Sequence, residues 1–117
     1  MAFVRVYTGA DGQSRFEDLE VPFQPSDLTT PGSFSQGATE INFRRQPVGL
    51  VQDWHPAPRR QHIITLTGLA EIEVGSGEVR RFERGDVLLA DDLTGKGHVT
   101  RVIGTEPRIS VAIPLDD

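Results

Sequence analysis

The chain has 117 residues, which is the length of one domain and is sufficient to bury a hydrophobic core. Its 12 basic and 17 acidic residues give a net charge of −5, which argues against a nucleic-acid partner because such binding depends on clustered positive charge. It contains no cysteine, so disulfides, zinc–thiolate centres and cysteine nucleophiles are excluded. No apolar stretch approaches the length of a membrane span or resembles a signal peptide, and we therefore expect a cytoplasmic protein without a membrane partner.

The composition and the hydrophobic pattern predict a chain of short β-strands. Val, Ile and Thr, which favour strands, contribute 27 residues, and glycine and proline contribute 20 that are spread along the chain as turn signals. A turn is predicted at 9–12 and a long loop at 24–37. The predicted strands lie at 2–7, 38–43, 48–53, 60–67, 70–74, 79–82, 87–90, 98–103 and 109–113. Since no stretch has helical periodicity, the expected fold class is all-β.

Two of the three histidines are the main candidates for chemistry. His55 comes shortly before the strand at 60–67, and His98 follows a glycine turn. Positions 55, 57 and 61 have the same parity, so an extended backbone would direct these side chains to one face. We therefore expect His55 and Gln61 to converge with His98 from another strand. His62 has the opposite parity and is expected to be a surface or hydrogen-bonded residue.

The spacing around His55 resembles the first sequence motif of the cupins. That motif has the form G-x5-H-x-H-x3-E-x6-G, and the chain reads Gly49-x5-His55-x-Ala57-x3-Gln61-x6-Gly68. All four spacings agree, whereas Ala57 and Gln61 replace the second histidine and the glutamate of the motif.

The second cupin motif, G-x5-P-x-G-x2-H-x3-N, is similar to the segment that begins at Gly85. Asp91 stands at the proline position, the following turn is two residues longer, and His98 matches the motif histidine. Val102 replaces the asparagine of the motif.

The resemblance to the cupins implies a fold and a domain organisation. It covers about residues 38–113 and implies a double-stranded β-helix, the cupin jelly-roll barrel. We expect a single domain over 1–117, in which this core is preceded by an N-terminal strand and loop at 1–37.

The resemblance also implies a metal site. Metal-dependent cupins hold the ion with three histidines and a glutamate, and His55, Gln61 and His98 match three of these four positions. The implied cofactor is a divalent transition metal (Fe, Mn, Ni or Zn). Because Ala57 offers no donor atom and Gln61 is neutral, the remaining donor set should bind such an ion weakly.

Two classes of function stay open. As an enzyme, the chain would use His55 and His98 as metal ligands or as acid and base, with Asp91 orienting His98. Gln61 and one of Arg45 or Arg59 would then bind a small polar or anionic metabolite, in isomerase- or oxygenase-type chemistry. The alternative is a non-catalytic protein without metal, either a small-molecule-binding module or a structural dimer.

The alternation in the strand at 60–67 bears on the oligomeric state. His62, Ile64 and Leu66 face away from Gln61, so apolar surface should project outside the barrel. Burial of this face against a second copy of the chain predicts a homodimer, to which the N-terminal strand would add by pairing across chains.

Overall fold

The computed structural model describes residues 1–25 and 32–117, so residues 26–31 of the predicted loop lie outside the described residues. The described residues form ten strands and no helix, which confirms the all-β prediction. The strands are β1 (Phe3–Thr8), β2 (Ser14–Asp18), β3 (Asn42–Gln46), β4 (Val51–His55), β5 (Gln61–Thr67), β6 (Leu69–Glu73), β7 (Val79–Phe82), β8 (Val87–Asp91), β9 (His98–Ile103) and β10 (Arg108–Pro114). Within residues 1–25 and 32–117, no helix is long and apolar enough to span a membrane.

The ten strands form two sheets. The larger sheet has the order β2-β1-β8-β5-β10-β3, and the smaller sheet has the order β4-β9-β6-β7. Paired strands are antiparallel except β1 and β8, which are parallel. The parallel pair arises where the hairpin of β1 and β2 adds to the edge of β8, because β1 runs in the same direction as β8.

The observed strands differ from the predicted ones mainly in the N-terminal part of the chain. β2 was not predicted, because its pattern is largely polar and only Ser14 is fully buried. β3 begins at Asn42 rather than at residue 38, since the chain before it makes only an isolated bridge between Ala38 and Leu115. β7 and β9 have the predicted bounds.

The hydrophobic core lies between the two sheets. Val4, Val6 and Leu88 of the larger sheet pack with Ile72 and Phe82 of the smaller sheet, and each is at most 2% exposed. These residues occupy alternate positions of their strands, as the period of two in an extended chain requires. Burial of each such side chain stabilises the fold by about 2 kcal/mol.

β5 has the predicted alternation between its two faces. Gln61 and Thr65 are buried, whereas Leu66 is 40% exposed on the opposite face. On that outward face, directly paired residues of five neighbouring strands form a row of apolar side chains, which we call the outer row. Its members are Phe3, Val87, Ile64, Val111 and Phe43.

Candidate functional site

A cavity of about 360 Å³ lies between the two sheets. Its wall contains His55, Gln61 and His98, the three side chains that the motif spacing predicts to converge. Ala57 lines the same cavity. All three side chains reach one space, although residues 56–60 are not part of a strand and the chain bends at 58–59.

His55 and His98 form a close pair of rings in this wall. They are directly opposite each other in the pairing of β4 with β9, and their ring centroids are 4.7 Å apart. Gly97 permits this approach, because it has a φ of 78° and a Cβ at its position would collide with the carbonyl group of His55. The glycine turn before β9 therefore fixes the position of both imidazoles.

Hydrogen bonds select the same tautomer in both rings. Nδ1 of His55 lies 2.6 Å from the backbone oxygen of Asp53, which can only accept, so this nitrogen donates. Nδ1 of His98 donates to Oδ2 of Asp92 at 2.7 Å. In the neutral rings Nε2 is therefore the acceptor, and it can take a proton or a hydrogen bond from a ligand.

The buried carboxylate of Asp92 anchors His98. It is 0% exposed, and Oδ2 also accepts a hydrogen bond from the Ser14 hydroxyl at 2.8 Å. The backbone oxygen of Asp92 accepts from the amide of Ala57 at 2.9 Å, which joins both motifs at the cavity wall. The Ser14 hydroxyl is bonded to the Asp92 carboxylate and not to the His98 imidazole. These three residues are therefore not arranged as a catalytic triad, in which the serine is bonded to the histidine that takes up its proton.

Asp91, the expected partner of His98, faces the opposite way. Ala90 lines the cavity, so the next residue of β8 points outward. The Asp91 carboxylate instead forms ion pairs with Arg5 at 2.9 Å and with Arg60 at 3.4 Å. The residue that orients His98 is therefore Asp92, one position later than expected.

Arg108 places a buried positive charge in the cavity wall. Its side chain is 4% exposed, Nη2 donates to Oγ1 of Thr65 at 2.9 Å, and Nε is buried without a partner among the described residues. No carboxylate in the described ranges lies within ion-pair distance of it. Burial lowers the pKa of Arg108 to about 10, and the positive charge of Arg44 acts in the same direction.

The arginines that line the cavity differ from those expected from the sequence. Arg44 of β3 lines the cavity next to Arg108, whereas the adjacent Arg45 is exposed, as alternation along β3 requires. Arg59 is also exposed and donates to Glu40 at 2.6 Å. Neither Arg45 nor Arg59 therefore lines the cavity, and Arg44 and Arg108 line it instead.

The donor set of the cavity does not fit a tightly held divalent metal. His55, Gln61 and His98 supply two neutral imidazoles and an amide, and the described residues contain no cluster of three His, Asp, Glu or Cys side chains suited to an ion. Arg44 and Arg108 add two positive charges to the same wall. No carboxylate among the described residues lines the cavity, so nothing in its wall would neutralise the charge of a metal ion. The positive charge of the cavity wall therefore favours an anion.

Sequence reasoning missed Arg108, and it assigned Asp91 rather than Asp92 as the partner of His98, for different reasons. In β10 the apolar residues Ile109, Val111 and Ile113 alternate with Arg108 and its neighbours, and this pattern would normally place the apolar set inside. The structure has the polar set facing the cavity. Asp92 was missed because the turn between Asp91 and His98 is longer than in the motif, which left the alignment of the two acids open.

Comparison with known proteins supports the fold. No protein-family model and no curated protein matches the chain. The cupin domain of Schizosaccharomyces pombe Cnp3 is similar in structure with a TM-score of 0.52 and 14% identity, over 99% of this chain and 83% of that one.

Two other solved structures are similar at lower scores. An RmlC-like cupin protein from Desulfovibrio desulfuricans has a TM-score of 0.47 and 16% identity, over 97% of this chain and 81% of that one. The conserved SPY1581 protein of unknown function from Streptococcus pyogenes has a TM-score of 0.45 and 18% identity, over 67% and 77%. With the two facing sheets, the similarity to the Cnp3 domain shows that the chain has the cupin fold, as the two motifs predicted.

Proposed function

We propose that this protein binds a small anionic metabolite in the cavity between its sheets, with Arg108 holding the anion. The observation that carries the proposal is the buried guanidinium of Arg108, which has no carboxylate partner among the described residues. A buried charge without a counter-ion is costly, and the lowered pKa of Arg108 reflects that cost. A bound carboxylate or phosphate would supply the missing counter-charge in the bidentate geometry that arginine favours.

Ligand-induced thermal stabilisation tests this proposal. The protein is screened by differential scanning fluorimetry against small mono- and dicarboxylates and phosphate esters, and calorimetry measures the affinity of each compound that raises Tm. In Arg108→Met the affinity should fall by about 100-fold, since a buried charge-assisted contact is lost. Arg45→Met is the matched control, because Arg45 is exposed and should leave affinity unchanged. Binding that persists in Arg108→Met, or no binding by any anion, would overturn the proposal.

A second candidate function is proton transfer on the bound metabolite. It is favoured by the hydrogen bond from His98 to the buried Asp92, because this bond leaves Nε2 of His98 as a proton acceptor at the cavity. His55 holds a second Nε2 beside it. In such a step a C–H proton moves to Nε2 of His98, and a proton from the imidazolium later returns to the same carbon, so no redox partner is needed.

Solvent exchange separates this candidate from simple binding. A metabolite that binds in the screen is incubated in D₂O, and proton NMR follows the loss of its C–H signal. Exchange that is abolished by His98→Asn with binding retained supports catalysis. Binding without exchange favours the non-catalytic alternative.

A further inference from the structure

The smaller sheet lines the cavity with hydrogen-bonding side chains at two levels along β9. His98 and its direct partner in β4, His55, form the first level. Thr100 lies two residues further along β9 and lines the cavity together with its own direct partner in β4, Gln52. We call Thr100 and Gln52 the middle level. Because an extended strand rises about 3.3 Å per residue, roughly 7 Å separates the middle level from the imidazoles.

The two arginines lie at the far end of the cavity from the imidazoles. Arg108 donates to Oγ1 of Thr65 in β5, and Arg44 is the direct partner of Ser110, which pairs in turn with Thr65. Gln61 lines the cavity at the start of β5, four residues before Thr65. The levels of Gln61 and of the arginines are therefore roughly 13 Å apart along this strand.

Gln61 shares its level with the imidazoles. Its direct partner in β8, Ala90, is two residues before Asp92, and Asp92 accepts the hydrogen bond from His98. The cavity thus has an imidazole end and an arginine end.

The middle level lies between these two ends. Thr100 is directly paired with Ile72 of β6, and Ile72 packs in the same cluster as Leu88 and Ile63 of the larger sheet. Ile63 stands halfway along the part of β5 that joins the two ends. The middle of the cavity therefore combines apolar side chains with the hydroxyl group of Thr100 and the amide group of Gln52.

Three buried polar side chains of the cavity wall have no hydrogen-bond partner among the described residues. They are Gln61 at the imidazole end, Thr100 in the middle and Ser110 at the arginine end. Buried polar groups are nearly always hydrogen-bonded, because leaving one unpaired is costly. A ligand that matches this cavity therefore offers hydrogen bonds along its whole length.

We infer that the ligand is an acid that carries hydroxyl groups along its chain. The inference rests on the function proposed above and specifies its ligand. The anionic head, a carboxylate or a phosphate, contacts Arg44 and Arg108. A middle hydroxyl group bonds to Thr100 or Gln52, and the terminal hydroxyl or carbonyl group bonds to Gln61 and the imidazoles.

The apolar side chains of the cavity suit the rest of such a ligand. Between its hydroxyl groups a hydroxylated chain presents C–H groups, which can pack on Ile63 and Leu88. Hydrogen bonds of about 3 Å at each end leave roughly 7 Å for the ligand, which is about the length of a six-carbon chain. A cavity of about 360 Å³ is at the small end of metabolite sites, in agreement with a ligand of this length.

Calorimetry with matched six-carbon acids tests the inference. Gluconate, mannonate and galactonate carry a hydroxyl group on every middle carbon in different arrangements. 6-Hydroxyhexanoate has the same carboxylate and terminal hydroxyl group without them. The tightest of the aldonates should bind about tenfold more tightly than 6-hydroxyhexanoate, because it gains a buried hydrogen bond. Xylitol 5-phosphate and 5-hydroxypentyl phosphate repeat the comparison with a phosphate head, so the better-bound set identifies the head.

Variants of the middle level assign the contact. Thr100→Val keeps the shape of the side chain and removes its hydroxyl group, so it should reduce the tenfold preference to less than about twofold while affinity for 6-hydroxyhexanoate is retained. Gln52→Met should reduce the preference by about threefold. Because Gln52 is exposed, this second variant guards against misfolding at the buried Thr100. Thr67→Val is the matched control, since Thr67 ends β5 and does not line the cavity. Arg108→Met should weaken both kinds of acid equally.

The outcomes distinguish this inference from the proposed function. If the acids without middle hydroxyl groups bind as tightly as their hydroxylated counterparts with either head, or if the preference persists in both Thr100→Val and Gln52→Met, the hydroxylated ligand is wrong. It is also wrong if only shorter acids of the screen bind in a manner that depends on Arg108. Anion binding then still stands. If no anion binds in a manner that depends on Arg108, both proposals fail.

Discussion

Nδ1 of His98 donates to Oδ2 of Asp92 across 2.7 Å, and the two side chains are 6% and 0% exposed. A buried carboxylate with one oxygen lacking a partner among the described residues is costly to the fold. Such a group stabilises the protein less than an apolar side chain of similar volume would. Its effect is local: it holds the His98 ring in one orientation and in one tautomer at the cavity wall.

The first prediction concerns this tautomer. Two-bond ¹H–¹⁵N NMR of the neutral rings should show the proton on Nδ1 in His98. In Asp92→Ala the acceptor is removed, so the Nδ1–H signature of His98 should give way to a mixture that includes Nε2–H. Asp91→Ala, which removes only the outward carboxylate, should leave the His98 signals unchanged. The opposite pattern would show that Asp91, not Asp92, orients the ring.

The second prediction is that Arg108→Met raises stability. Burial lowers the pKa of Arg108 from its ordinary value to about 10 in the folded chain, so holding the charged form costs about 3 kcal/mol at every pH below about 10. Loss of the hydrogen bond to Thr65, together with the longer one from Nη1 to Gln46 at 3.4 Å, costs about 1 kcal/mol. The variant should therefore gain about 2 kcal/mol, seen as a higher midpoint of urea unfolding with an unchanged m-value.

Arg45→Met serves as the control for this gain, because Arg45 is exposed and its loss should alter stability by less than about 0.5 kcal/mol. A clear loss of stability in Arg108→Met would mean that the guanidinium is satisfied within the protein. Arg108 would then have no need of a bound anion.

The sequence predicts the fold better than it predicts the site. Alternation in β5 and the motif spacing around His55 fix which residues face inward, because the period of an extended chain leaves only two choices. In β10 the same alternation is misleading, because its apolar residues, such as Val111, face outward in the outer row. The pattern would place them inside, so the sequence did not assign the polar side of the strand to the cavity. The partner of His98 was misassigned for a similar reason. Asp91 is the last residue of β8 and faces outward, whereas Asp92 follows it and faces His98, so a shift of one residue exchanges the two carboxylates.

The third prediction is that two substitutions create a metal site in the cavity. Since Ala57 and Gln61 line the same cavity as His55 and His98, Ala57→His with Gln61→Glu completes the ligand set of metal-dependent cupins. The double variant should bind Zn²⁺, Ni²⁺ or Mn²⁺ with a clear rise in Tm, whereas the wild-type chain should show little metal after dialysis by elemental analysis. Each single variant is a control with an incomplete set. Stoichiometric metal in dialysed, untagged wild-type protein would contradict this prediction.

The fourth prediction concerns His62 on the outward face. Burial is the main cause that lowers the pKa of His62, Arg60 lowers it further, and Asp117 opposes them. Below about pH 6.5, His62 is protonated in the unfolded chain but remains neutral in the folded chain. The free energy of unfolding therefore falls as the pH falls toward the pKa of His62 in the folded chain. In His62→Gln the fall in the urea midpoint between pH 7.5 and pH 5 should be smaller than in the wild type. An equal fall in both proteins would show that His62 titrates normally.

The fifth prediction is that the outer row is an interface between two copies of the chain. Phe43 at the end of the row is 69% exposed, and Ile41, which precedes β3, is 60% exposed. A groove of about 290 Å³ runs along the same face beside Ile64 and Val87, with a mostly apolar lining. Exposed apolar surface on a sheet face, together with an edge of β3 that pairs with no further strand among the described residues, favours association by sheet packing.

Light scattering should therefore give twice the chain mass at micromolar concentration. Ile41→Ser with Phe43→Ser should shift this to the single-chain mass while the far-UV spectrum of the β-fold is retained, because both side chains are already exposed in one chain. Val79→Ser is the matched control, since Val79 is 41% exposed but lies in β7 at the edge of the other sheet. A single-chain mass for the wild type across this concentration range would contradict the dimer, and the apolar row would then face solvent or a different partner.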